Sequence, residues 1–82
     1  MEVHFGEDFK IPCIVSGNPV PVVWWEKHTK DGKRIRISPL DEKAKNVLNM
    51  KISSKEDYGR YTCLAKNALG NDSLDLIIGT SW

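Results

Sequence analysis

The chain is predicted to fold as an all-β, two-sheet sandwich, and three observations predict it. Apolar residues recur at every second position along most of the chain, turn-forming residues punctuate those stretches at short intervals, and both cysteines fall on the inward phase of their stretches. Phe9, Ile11, Cys13 and Val15 alternate with Lys10, Pro12, Ile14 and Ser16, which predicts a strand over 8–16. Val23 and Trp25 set one over 22–29, and Ile35 and Ile37 one over 33–38. Leu48, Met50 and Ile52 give 47–52; Tyr61, Cys63 and Ala65 give 60–67; Leu74, Leu76 and Ile78 give 71–79. Between them lie Gly17-Asn18-Pro19-Val20-Pro21, the hairpin signal Asp31-Gly32, and Asn67-Ala68-Leu69-Gly70. Leu40–Val47 is too short for an independent helix and is read as a loop plus a weak edge strand.

Eighty-two residues suffice for a single domain over 1–82. A chain of this size buries roughly 60–65% of its unfolded surface, so the hydrophobic margin is thin and a covalent staple has value. The two cysteines stand 50 positions apart, unlike the close pairs of a zinc site. Linking them would be worth roughly 4 kcal/mol in loop entropy; the alternative is two buried thiols in a reducing compartment. Twelve basic and eleven acidic residues give a net charge of +1, which builds in no attraction to nucleic acid or membrane. No apolar run reaches the ~18 residues of a membrane span. Met1-Glu2-Val3-His4 does not open like a signal peptide, and the expectation is a mature domain of a longer chain.

Catalytic chemistry finds little support. His4 and His28 lie in separate segments, and no phosphate loop, HExxH or GxSxG motif occurs. A sandwich this small also lacks room for a cleft of several hundred Å³. The expectation is a non-enzyme with no cofactor and no metal.

Trp25 follows Cys13 by twelve positions on the inward phase, where its ring can pack on the sulfurs. Asp57-Tyr58-Gly59-Arg60-Tyr61-Thr62-Cys63 places a tyrosine two residues before the second cysteine, the pattern of a tyrosine corner. With Gly17–Trp25, Leu48-Asn49-Met50 and Ala65–Gly70 in order, the chain from Val3 to Ile78 resembles the immunoglobulin superfamily, most closely its intermediate (I-set) type. The resemblance implies a Greek-key sandwich with strand A truncated to a segment over 3–5 and a Cys13–Cys63 disulfide. It also implies a core built on Trp25 and Tyr61, with Asp57 closing the turn before the corner. Three features depart from the pattern: a long stretch from Trp25 to Gly32, Pro12 inside a strand, and Ser53 at an often apolar position. An edge position for the strand carrying Pro12 would make it tolerable.

The period-two phase assigns Trp24, Glu26, His28, Thr62, Leu64, Lys66, Asn71, Ser73 and Asp75 to the outer face of the sheet, extended by Arg34 and Arg36. Trp24 and Leu64, rimmed by Glu26, Lys66, Arg34 and Arg36, form the candidate protein-binding patch; the bland alternative is an indole lying under basic stems. Lys30, Lys33, Arg34 and Arg36 form a basic candidate for heparan sulfate, against the alternative of a solvated edge. Asn71-Asp72-Ser73 is the only N-glycosylation sequon, since Pro19 follows Asn18.

The leading expectation is therefore an extracellular or cell-surface recognition module of a multi-domain protein, serving adhesion, guidance or receptor signalling through a protein partner, homophilic or heterophilic. Nucleic acid and direct membrane insertion are not expected. The alternatives are an intracellular (cytoplasmic, sarcomeric) docking module of a giant muscle-type protein with reduced cysteines, or a secreted ligand-sequestering protein. Trp82 is expected to contact a following domain or fray.

Overall fold

Strand-forming alternation becomes two antiparallel sheets in the computed structural model, which describes residues 2–38 and 42–79. The expectation for Trp82 lies outside the described residues. The strands are β1 (Asp8–Ile14), β2 (Val22–His28), β3 (Arg34–Arg36), β4 (Glu42–Lys43), β5 (Lys45–Lys51), β6 (Gly59–Asn67) and β7 (Gly70–Ile78), with a 3-10 turn over Lys55–Asp57. One sheet pairs β1 with β5; the other runs β3-β2-β6-β7, with β4 continuing the β3 edge of β2. The result is an immunoglobulin-like sandwich. Among the described residues β1 pairs on one side only, so Pro12 sits in an edge strand, where a lost N–H is least costly.

Val23, Trp25, Tyr61, Cys63 and Ala65 from the larger sheet meet Phe9, Cys13 and Leu48 from the smaller and Ile52 just past the end of β5, closed at one end by Val3 and Ile78. Cys13 and Cys63 are joined across the two layers, and Trp25 stands opposite Cys63 in the β2–β6 register. The indole is 2% exposed, and its Nε1–H donates to the Asn46 carbonyl at 2.9 Å. Asn46 in turn donates from Nδ2 to the Val23 carbonyl at 2.9 Å, so a buried carboxamide ties β5 to β2. Where β3 ends, the Ser38 hydroxyl accepts from the Trp25 N–H at 3.0 Å, replacing a strand partner.

Several expectations are corrected. In place of a strand over 3–5, the chain enters through a single parallel bridge, Glu2 to Gly79, with the Val3 N–H donating to the Gly79 carbonyl. β5 begins at Lys45, two residues before the expected 47, because Asn46 is drawn under Trp25. The weak edge strand is the two-residue β4. Ile35 and Leu74 have the inward phase yet are 53% and 67% exposed. A two-stranded layer cannot roof a four-strand-wide sheet. Ile35 on β3 and Leu74 on β7 lie on the strands at the two ends of that sheet, beyond its cover.

Candidate functional site

Pairing register turns period two into rows across the outer face of β3-β2-β6-β7. Trp24, Leu64 and Ser73 form one row, Glu26, Thr62 and Asp75 the next, and Lys66 stands beside Asn71. β3 sets Arg36 beside Glu26 and Arg34 beside His28. The structure thus brings Trp24, Glu26, Leu64, Lys66, Arg34 and Arg36 onto one surface.

Glu26 organises it. Its Oε2 accepts from the Trp24 Nε1–H at 2.9 Å, and its Oε1 pairs with the Arg34 Nε at 3.0 Å. The Arg36 guanidinium lies 5.4 Å from the Trp24 ring centroid, within cation–π range. Trp24 and Leu64 are half-buried. The indole is therefore held in one orientation by a carboxylate at its edge and a cation over its face.

The adjoining row was expected to be solvent-facing, but Thr62 is 2% exposed, enclosed between His28 and Asp75. Its hydroxyl donates to Asp75 Oδ1 at 2.9 Å and meets His28 Nε2 at 2.7 Å. With its one proton given to Asp75, Thr62 can only accept from the imidazole, so His28 carries its proton on Nε2. This chain has the opposite direction to a nucleophile–base relay, in which the imidazole takes the hydroxyl proton; it fixes side chains and does not activate Thr62.

Two of the basic candidates face carboxylates. Arg34 is paired with Glu26, and Lys33 lies 3.9 Å from Asp31 at the exposed hairpin tip. Lys30 sits at the same exposed tip. Lys27, on the inward phase, turns to the Glu56 carbonyl, to Asp57 at 4.0 Å and over the Tyr61 ring.

The tyrosine corner forms: the Tyr61 hydroxyl donates to the Asp57 carbonyl. Burial, and then the nearby Asp57 charge, push the Tyr61 phenol up to about 12. The Asp57 carboxylate caps the turn after β5, accepting from the Ser53 and Ser54 N–H groups at 2.8 and 3.0 Å. Those bonds, led by the one from Ser53, hold its pKa below the usual carboxylate value. Among the described residues, no cluster of His, Cys, Asp or Glu could hold a metal ion. Also among them, no helix is long and apolar enough to cross a membrane.

The expectation of no hollow of several hundred Å³ is corrected: beside Trp24 the surface dips into an open depression of about 450 Å³, lined by Trp24, Arg34, Leu64, Lys66, Asn71 and Ser73, because the side chains of neighbouring outer-face rows leave space between them. Sequence reasoning missed Asn46 and the His28–Thr62–Asp75 chain. Period two could have paired the last three, but an asparagine ahead of an apolar run gives no signal of burial.

A family model described as "Immunoglobulin domain" matches residues 1–67. Contactin-4 of Rattus norvegicus is 34% identical over 67 residues, covering 82% of this chain and 6% of the relative. The "WAP, Kazal, immunoglobulin, Kunitz and NTR domain-containing protein 1" of Mus musculus is 37% identical over 75 residues, 83% of this chain and 13% of the relative. Peroxidasin homolog of Mus musculus is 31% identical over 85 residues, 99% and 5% respectively. The chain belongs to the immunoglobulin domain family. It spans only a small fraction of these relatives, each of which carries the matching stretch within a far longer protein.

Proposed function

We propose that this chain is an extracellular recognition module, an immunoglobulin domain of the I-set type, that binds a protein partner through the outer face of β3-β2-β6-β7 and is not itself catalytic. The observation that carries the reading is the Trp24–Glu26–Arg34–Arg36 arrangement. Tryptophan and arginine are the residues most enriched at binding hot spots, and here they are ordered before any partner arrives, which lowers the entropy cost of association. The cross-core disulfide supports an oxidising compartment and disfavours the reduced, cytoplasmic alternative. Similarity to a "Fibroblast growth factor receptor-like 1" of Gallus gallus, 37% identical over 67 residues, fits a receptor-type setting. Heparan sulfate draws less support, because Arg34, Lys33 and Lys27 each face a carboxylate.

The protein, displayed multivalently and screened against an array of cell-surface and secreted proteins, tests this. Hits should disappear for Arg36→Glu and Leu64→Asp and persist for Ile14→Lys at the exposed edge of the opposite sheet. All three variants should melt within about 5 °C of the parent, as expected for surface changes. Hits unaffected by the first two variants would mean that the contact lies elsewhere.

A further inference from the structure

We propose that Asn71 is an N-glycosylation site whose oligosaccharide lies over the hollow beside Leu64 and regulates access to the outer sheet face; the regulatory part rests on the binding role proposed above. Asn71 is the only asparagine in an Asn-x-Ser/Thr sequence whose middle residue is not proline. Asn18 and Asn49 are also exposed but lack that sequence, and the fold occupies two further asparagines. Asn46 is 3% exposed and bonded to Val23, and Asn67 spends its carboxamide on the Pro19 carbonyl and the Leu69 and Gly70 N–H groups. Asn71 is exposed, and its side chain makes no hydrogen bond among the described residues. Ser73, the third residue of the sequon, lies on the same face. The disulfide is the independent sign that the chain passes through the compartment where this modification occurs.

The reaction is a group transfer from a lipid-diphosphate-linked oligosaccharide. The Asn71 Nδ2 forms a bond to C1 of the first sugar, the C1–O bond to phosphate breaks, the lipid diphosphate departs, and one amide proton is released. No oxidant or reductant enters. A sugar on Nδ2 starts at the rim of the hollow, beside Lys66. Trp24 lies two strand spacings across and two residues along from Asn71, about 12 Å, a distance that two to three sugar rings span. The glycan core thereby roofs Leu64 and the β2 side of the hollow, and a partner protein must compete with it or be admitted only to unmodified copies.

The chain secreted from a glycosylating animal cell line, with Asn71→Gln and Ser73→Ala, provides the test. Intact mass of the natural sequence should exceed the polypeptide mass by an oligosaccharide ladder. Peptide N-glycosidase should remove it and leave aspartate at position 71, and both variants should lack it. The bare polypeptide mass for the natural sequence overturns the modification site. Hydroxyl-radical footprinting then compares glycosylated with enzymatically deglycosylated protein. Labelling of Leu64 and Trp24 should fall to roughly half or less under a bulky surface glycan, while exposed Leu69 and Ile14 stay unchanged. An identical footprint overturns the regulatory part. Neither readout needs the partner, so failure of the face as a binding site is seen separately, as persistence of array hits in Arg36→Glu.

Discussion

Asp57 shows how much one carboxylate does here. It takes the Ser53 and Ser54 N–H groups, neighbours Lys27, and offers its own carbonyl to the Tyr61 hydroxyl, so one residue closes the turn and anchors the corner. Its depressed pKa means the folded state favours the ionised form. That stabilisation is complete above the unfolded value near 3.9 and is lost as pH falls through the folded pKa. Asp57→Ala should cost about 2 kcal/mol in urea unfolding at neutral pH, the scale of a lost charged cap. The gap between variant and parent should narrow as pH is lowered below about 4. A gap independent of pH would show that the carboxylate's charge is not what holds the turn. Tyr61 works at the other extreme: its raised pKa contributes stability below about 10 that is lost as pH rises toward about 12.

At the scale of elements, the change of sheet between β4 and β5 concentrates the strain. Ala44 has φ of 66°, the left-handed region, while its N–H donates to the Pro21 carbonyl and its carbonyl accepts from Val15. Both bonds hold the chain where β4 leaves the β2 edge and β5 joins β1. An L-residue pays about 1–2 kcal/mol for this conformation, partly offset by its lower unfolded-chain entropy relative to glycine. Ala44→Gly should therefore stabilise the protein by about 0.5–1 kcal/mol, read as a rise in the urea midpoint with unchanged slope. A fall would show that the loss of chain entropy dominates. The hairpin after β2 has already taken this solution: Gly32 supplies φ of 84° in a turn closed by the Thr29 N–H donating to the Lys33 carbonyl and the Gly32 N–H donating to the Thr29 carbonyl.

For the whole molecule the disulfide is the covalent tie between the two layers. It closes a 50-residue separation in a chain with one small core, and Cys13→Ala/Cys63→Ala should lose about 4 kcal/mol. A loss below about 1 kcal/mol would place most of the stability in packing. The staple also explains how an outer face rich in polar and basic residues can be kept for contact, since the inner layer is secured independently of it.

Fold and face were legible in the residues themselves, because a strand's side-chain period is two whatever its neighbours do. Cys13, Trp25, Tyr61 and Cys63 mark the interior, and Trp24, Glu26, Leu64 and Lys66 the outer surface, by their phase alone. Period cannot say how wide the opposing layer is, so Ile35 and Leu74 were assigned to a core that does not reach them. Nor can it say which polar groups meet. Asn46 beneath Trp25, Thr62 closed in by His28 and Asp75, and Glu26 shared by an indole and a guanidinium are juxtapositions between distant parts of the chain or across strands. Local pattern fixes which way a side chain points; only the packing of the two sheets decides what it finds there.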